Sequence, residues 1–521
     1  METVVASSSS ALSASPEAFE ALSWEAWWRN DVEALFEARE LAYRAYRAAG
    51  DDLGAARMAC WLGTDSVDFR GQTAVASGWL ARARRLLEGR EETLEYGLLL
   101  IHEAEKLMYV GDTDTAIAHG SEALALARRL GHFDLESLAT STIGLAQVFA
   151  GYVDEGSRRL EEAASAALAD ELDQTWAAGW CCCYLIYGCE QVRDYERAVQ
   201  WCRSIEEWAT RRLGALQHTC RARYASVLVW QGAWDAAEAE LTEAMRALVE
   251  LRPPAVSDAG ARLGELRRRQ ARAEEALRLF EEAPAHPLSI LGMGELHLDA
   301  GEVRAARDRA EEYLRDGASG PATPRAAGLE LLARAAAAEG DLVTARAALA
   351  ELTAVAERLG TVPSRASVAW AAGFVAEAAA DLGEARVAFE DAARLFHRVG
   401  APWDEARALI ALARVLDRDG RPADADHHQA RADALLGGLH GRASEPAGSE
   451  PSGARSPLTS REREVLGLIA RGLTNRDVAR ALVVSEHTVN RHMTNILGKL
   501  EVGSRSAAVA LALRDGLIDN V

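Results

Sequence analysis

Lysine is almost missing from this chain: Lys106 and Lys499 are the only two in 521 residues, and arginine supplies the other positive charges. A Walker-type phosphate loop ends in Gly-Lys-Ser/Thr, and a protein kinase needs a lysine behind its glycine loop. Neither lysine stands in such a run, so both classes are excluded. A phosphate-receiver domain, which wants a lysine beside an acidic cluster, is not visible either. Positive charge as a whole is in deficit, since 58 Lys and Arg against 79 Asp and Glu leave −21. That balance speaks against coating nucleic acid or an anionic membrane through bulk charge. Cysteine is sparse and odd in number, seven in all, which makes no disulfide framework. Cys181, Cys182, Cys183 and Cys189 cluster without Cys-x-x-Cys spacing, and consecutive positions on a helix diverge. They are expected as small buried helix residues, with no metal site, in a reduced intracellular compartment. No run of about 18 uncharged apolar residues occurs, so no membrane span is expected. Met1-Glu2 followed by Ser7 to Ser10 does not read as a signal peptide. Only 13 prolines interrupt the chain and 49% of it is hydrophobic, which predicts a helical protein with a sizeable core.

What is present is a repeat. Gly-Asp/Glu-x-x-x-Ala recurs at Gly111-Asp112 with Ala116, Gly301-Glu302 with Ala306 and Gly340-Asp341 with Ala345. Looser copies place a small residue at 76, 156, 198, 237, 276, 385 and 425, a period near 40 with one shortened interval between 276 and 306. A degenerate earlier copy is expected near Ala34. Each unit reads as two amphipathic helices. The glycine makes the turn, the acidic residue suits a helix start, and the small residue lets the pair pack closely. One unit cannot bury its apolar face alone, so the units are expected to stack into an α-solenoid with a concave surface.

Inside the array, Trp176, Trp180, Trp201, Trp208, Trp230 and Trp234 crowd three successive helix pairs. Spacings of i, i+4 (176/180) and i, i+7 (201/208) put each pair on one helix face. Two readings stay open: inter-helix core, or an aromatic-lined effector pocket. His427-His428 and Arg267-Arg268-Arg269 read as solvated helix faces.

Residues 437–457 break the pattern, with glycine, serine and proline at 12 of 21 positions. A helix is not expected there; a coil of that length has a reach of about 25 Å. The expected division is a Ser-rich disordered start at 1–23, the repeat domain at 24–436, a flexible linker at 437–457 and a last domain at 458–521.

That last domain divides into four helices. Thr459-x-x-Glu462 is a capping box ahead of Val465, Leu466 and Ile469. Thr474-x-x-Asp477 opens a short second helix, Ser485 caps a third that runs to about Leu500, and Ser504 caps a fourth. The second and third are joined closely enough for a helix-turn-helix, the third being the recognition helix, residues 485–500. Val489, Met493, Ile496 and Leu500 fall at i, i+4, i+7, i+11 and are expected to face inward. His487, Asn490, Arg491, Thr494 and Gly498 then line the side free to enter a major groove, with Asn490, Arg491, Thr494 and His487 as base readers. Thr474, Asn475, Ser485, Thr488 and Lys499 stand at helix starts or flanks, where phosphates are met.

The runs LTSREREVL, GLTNRDVAR, SEHTVNRHMTNILGKL and SRSAAV resemble the LuxR/GerE-type DNA-binding domain of bacterial transcription regulators across nearly all of the last 65 residues. The resemblance implies base contacts at Asn490, Arg491 and Thr494, and a homodimer formed through the fourth helix by Ala508, Val509, Ala512 and Leu513. Two positions depart from the family, which usually carries basic residues where Asn490 and Gly498 stand; the first shifts base preference, the second removes a phosphate contact. Residues 24–436 resemble, in architecture, the tetratricopeptide-like superhelix of regulators of the MalT kind, whose grooves take peptides, proteins or small effectors. Related regulators place an ATPase ahead of such repeats, but no phosphate loop is present here.

Together these readings predict an all-α protein: an α-solenoid plus a C-terminal four-helix LuxR-type helix-turn-helix domain. The expected function is a sequence-specific, cytoplasmic, nucleoid-associated regulator of transcription, more often an activator by resemblance. Its expected partners are double-stranded DNA, a second copy, an effector or protein bound to the repeats, and RNA polymerase, with no membrane. The alternative is a tetratricopeptide-like interaction scaffold that its DNA-binding head only localises. No Gly-x-Ser-x-Gly elbow or His-Glu-x-x-His pair marks an enzyme, and no cofactor is expected. Charge divides accordingly. Residues 457–521 hold nine basic and seven acidic side chains, or +2, which leaves −23 on the remainder.

Overall fold

The computed structural model describes residues 15–213, 218–316 and 322–440 and, in the C-terminal segment, positions 465, 466, 468–470, 478, 489, 493, 496, 499, 511 and 512. The chain forms two units, Met1–Ala443 and Ser444–Val521. No strand occurs among the described residues.

Unit one is a series of helix pairs. They are α1 (Pro16–Arg29) with α2 (Val32–Ala49), α3 (Asp52–Arg70) with α4 (Thr73–Leu86), and α5 (Leu94–Tyr109) with α6 (Thr113–Leu130). Next come α7 (Phe133–Ala150) with α8 (Val153–Leu168), α9 (Thr175–Gln191) with α10 (Tyr195–Leu213), and α11 (His218–Gln231) with α12 (Trp234–Leu251). After a short 3-10 turn at Pro253–Ala255 follow α13 (Val256–Arg269) with α14 (Ala273–Glu281) and α15 (Pro287–Asp299) with α16 (Val303–Asp316). The last are α17 (Ala322–Glu339) with α18 (Leu342–Leu359), α19 (Val362–Ala378) with α20 (Leu382–Arg398), and α21 (Pro402–Arg418) with α22 (Pro422–His440). The shortened interval in the repeat is the nine-residue α14.

The repeat signature maps onto the turn inside each pair. Gly111 is left-handed at φ 86°; its N–H donates to the Met108 carbonyl at 3.2 Å and the Asp112 N–H to that of Leu107 at 3.0 Å. This closes the first helix through its orphan carbonyls. The acidic residue then caps the second: Oδ1 of Asp112, Asp341 and Asp381 accepts the N–H three residues on at 3.2, 3.1 and 2.9 Å. The small residues at 76, 116, 156, 198, 237, 276, 306, 345, 385 and 425 are all buried. At Gly156 an added Cβ would lie 2.5 Å from the Gly144 carbonyl of the paired helix, so only glycine permits that approach.

Three sequence expectations change. Residues 16–23 are not a disordered lead but the start of α1, capped by the Ser15 hydroxyl. The first pair turns at left-handed Asn30 and buries Leu35, not Ala34, at the fifth position. Gly437 to His440, expected as linker, complete α22, because Leu439 is buried in the cluster that holds Trp234 and Trp403. Burial of such a side chain is worth roughly 2 kcal/mol, which offsets the helix penalty of about 1 kcal/mol for each of the two glycines.

The array also winds back on itself. Thr323 Oγ1 of α17 donates to the Val148 carbonyl of α7 at 2.6 Å, and Arg269 of α13 pairs with Asp404 of α21 at 3.1 Å. One apolar cluster accordingly unites residues of α5 to α11 with residues of α17 to α19. The Arg267-Arg268-Arg269 run is therefore no solvated face. Arg267 pairs with Glu238 at 2.6 Å and Arg268 with Glu265 at 2.8 Å, both arginines being buried. Buried guanidinium groups persist only when answered by carboxylates, and here those come from repeats more than a hundred residues away as well as nearby.

Candidate functional site

In the C-terminal unit the described positions define an inward face. Val489, Met493 and Ile496 are helical and buried, together with Val465, Leu466, Ile469 and Val478. Lys499 is helical and exposed. Ala512, expected at a dimer contact, is fully buried within the chain and offers a second copy no surface. The spacing along the fourth helix did not separate its inner face from its outer one. His487, Thr474, Asn475, Ser485, Thr488, Asn490, Arg491, Thr494, Ala508, Val509 and Leu513 lie outside the described residues, as do positions 441–457 of the expected linker.

In the repeat unit a cavity of about 410 Å³ opens among α1, α3, α5, α9, α10 and α11. Two helix faces make its main walls. Trp61, Asp65 and Asp68 stand at i, i+4, i+7 on α3, and Trp176, Trp180 and Tyr187 at i, i+4, i+11 on α9. Trp27 and Trp28 of α1, Glu105 of α5 and Trp208 of α10 complete the lining. The rings brace one another edge to face: Trp61 lies 4.8 Å from Trp176, and Trp27 lies 4.8 Å from Trp28.

The two open readings of the tryptophans thus divide. Trp176, Trp180 and Trp208 line the cavity. Trp230 and Trp234 are core residues, 4% and 3% exposed. Trp201 is half-buried, its Nε1–H donating to Glu161 at 3.3 Å. Sequence reasoning missed Trp27, Trp28, Trp61, Asp68 and Glu105, although the 61/65/68 spacing on α3 carried the same signal as 176/180. The neighbourhood of α1, α3 and α9 is a tertiary fact: Trp24 of α1 stacks on Trp176 at 5.9 Å.

The polar groups in the wall are unequally answered. Asp65 pairs with fully buried Arg39 at 2.5 Å, whose guanidinium carbon lies 4.6 Å from the Trp24 ring centre and 5.3 Å from that of Trp61. Burial pulls this pair toward neutrality, raising the Asp65 carboxyl and lowering the Arg39 guanidinium, against the attraction between them. His102, behind Trp61, meets Thr64 Oγ1 at 2.8 Å and is held down to about 4 by burial and by Arg39, so it is neutral. Burial, with Asp68 nearby, pushes the Glu105 carboxyl up to about 8, opposed by a hydrogen bond from Tyr184. Asp68 is exposed on the same side and lies in the field of Arg252.

The cysteines separate as their divergent directions required. Cys181, Cys182 and Cys189 are buried free thiols, pushed far up by burial. Cys182 and Cys183 both line the cavity, and Cys183 is joined sulfur to sulfur with Cys220 of α11 across a Cα–Cα distance of 6.3 Å. Reading seven cysteines as an unpaired set is corrected here. The separation of 37 is close to one repeat, so stacking brings equivalent positions of successive helices side by side.

Residues 456–512 match the family described as bacterial regulatory proteins, luxR family. Over 60 residues the chain is 47% identical to an uncharacterized transcriptional regulatory protein, YhcZ, of Bacillus subtilis, covering 12% of this chain and 28% of that one. Over 61 residues it is 48% identical to the response regulator VraR of Staphylococcus aureus, covering 12% and 29%. The chain therefore spans under a third of the length of these relatives. Among solved structures, a Rap protein complexed with competence and sporulation factor aligns at 12% identity and a TM-score of 0.47, over 67% of this chain and 100% of that one.

Proposed function

From a chain that ends in a luxR-family domain, we propose a sequence-specific, double-stranded DNA-binding regulator of transcription whose repeat unit senses an effector. The observation that carries the DNA-binding part is the buried Val489, Met493, Ile496 stripe with Lys499 exposed, inside a segment of that family. Successive residues of a helix turn by about 100°, so in this reading 487, 491 and 494 are taken to lie opposite the 489, 493 and 496 stripe. In this reading Arg491 forks onto a guanine, and Asn490, Thr494 and His487 meet neighbouring base edges. Thr474, Asn475, Ser485, Thr488 and Lys499 hold phosphates. Dimerisation runs through the fourth helix, with Ala508, Val509 and Leu513 as its candidates. The chain works in the cytoplasm at the nucleoid, contacts RNA polymerase and acts as an activator; it is not an enzyme. Among the described residues no helix is long and apolar enough to cross a membrane.

Selection from random DNA at two salt concentrations tests this. One enriched, two-fold related motif is expected, and equal affinity for every sequence would sink the reading. Arg491→Ala should cost about 1–3 kcal/mol at one base position, whereas Lys499→Ala should weaken all sequences alike and reduce the salt slope by about one.

A further inference from the structure

The wall of the repeat-unit cavity can be balanced charge by charge. Asp65 is answered by Arg39 at 2.5 Å, Asp258 by Arg262 at 3.0 Å, and Arg223 by Glu190 at 3.5 Å. What remains is two carboxylates, Asp68 and Glu105, against one arginine, Arg252. Arg252 lies over the rings of Phe69 at 4.4 Å and Trp27 at 5.6 Å and forms no ion pair with either carboxylate. Glu105, half-buried, holds its proton at neutral pH, and the charge of exposed Asp68 beside it helps to keep that proton on. Around them stand Trp27, Trp28, Trp61, Trp176 and Trp180. Indole faces attract cations through their quadrupole, more strongly where water is excluded. Two of these rings already face guanidinium groups, Trp61 that of Arg39 and Trp27 that of Arg252. The volume of about 410 Å³ suits a small molecule rather than a folded partner.

We infer that this cavity binds a small organic cation, an ammonium or amidinium group on an apolar body, seated between the Trp61/Trp176/Trp180 rings and the carboxylates of Asp68 and Glu105. A cation there takes the place of the Glu105 proton, which leaves to solvent, and offsets the charge of both carboxylates, while its apolar body replaces water along the indoles. An anion meets the same two groups at a cost, and a neutral molecule gains only the apolar part. The inference rests on the reading of the repeat unit as a sensor, since it names the chemistry of what is sensed.

Calorimetric titration of the full chain without DNA tests it, using three probes of similar size: benzyltrimethylammonium, benzyl alcohol and phenylacetate. The cation should bind at least about tenfold more tightly than either other probe, a difference of about 1.4 kcal/mol. Asp68→Asn and Glu105→Gln, near-isosteric and checked for unchanged helicity, should each weaken the cation about five- to tenfold and leave benzyl alcohol unaffected. Equal binding of the three probes, preference for phenylacetate, or no heat from any of them at millimolar concentration overturns the inference. A chain that selects DNA but ignores the cation refutes this inference alone. A chain that takes the cation but selects no DNA refutes the regulator reading alone.

Discussion

At the scale of the residue, the turn within each helix pair decides which side chains are tolerated. Most of these turns use glycine, but Arg193, Ala271 and Ala380 hold φ of 55°, 59° and 62°. A Cβ in that region costs roughly 1–2 kcal/mol, which the greater entropy of an unfolded glycine offsets by about 0.4–1 kcal/mol. Ala271→Gly and Ala380→Gly should therefore each stabilise the repeat unit by about 0.5–1 kcal/mol, read from the midpoint of urea unfolding. Gly111→Ala should shift it the other way by a similar amount. The sequence showed these as degenerate copies of the motif. It did not show that the degenerate residues keep the left-handed conformation, because that is imposed by the packing of both helices.

On α9, one face holds Trp176, Trp180 and Tyr187 to the cavity while Cys181 and Cys189 are buried away from it. The i, i+4 pattern made the first face legible, but its partners on α1 and α3 were not, since nothing local ties Trp27 or Trp61 to Trp176. The Cys183–Cys220 bond is of the same kind. Its loop of 37 residues gives a chain-entropy stabilisation of about 3–4 kcal/mol. Thiol counting in denaturant is expected to find five free sulfhydryls before reduction and seven after. Reduction should lower the free energy of unfolding by about 3 kcal/mol. Seven free thiols in the unreduced chain would show that the two sulfurs are neighbours without a bond.

Across the whole repeat unit, distant helix pairs meet through buried charge. Arg269 reaches Asp404 at 3.1 Å and Arg407 reaches Glu295 at 3.4 Å, contacts that span 135 and 112 residues. Neighbouring arginines drive the Glu295 carboxyl far below its usual range. Such a group is stabilising above the unfolded-state value, and its contribution fades as pH falls toward the folded one. Removing Asp404 leaves the Arg269 Nη1 unanswered, while its Nε keeps Glu265 at 2.7 Å. Asp404→Ala should cost about 3 kcal/mol, whereas Arg269→Met with Asp404→Leu should cost much less, as denaturant titration of the single and double variants would show. Comparable losses in the single and the double variant would mean that packing, not the pair, carries the closure.

The sequence by itself determined the helices, the turn in most pairs, the period near 40 and the inward stripe of the C-terminal domain. Each of these depends on residues a few positions apart, through helical spacing, caps and glycine. It also determined where charge is unlike, with an acidic body ahead of a mildly basic end. The tertiary structure alone decided which tryptophans border a cavity and which fill a core. It also decided that Cys183 meets Cys220 and that the Arg267–Arg269 run is buried rather than solvated. Those outcomes depend on how far the stack rotates from one repeat to the next, a sum of many small packing angles that no local pattern records.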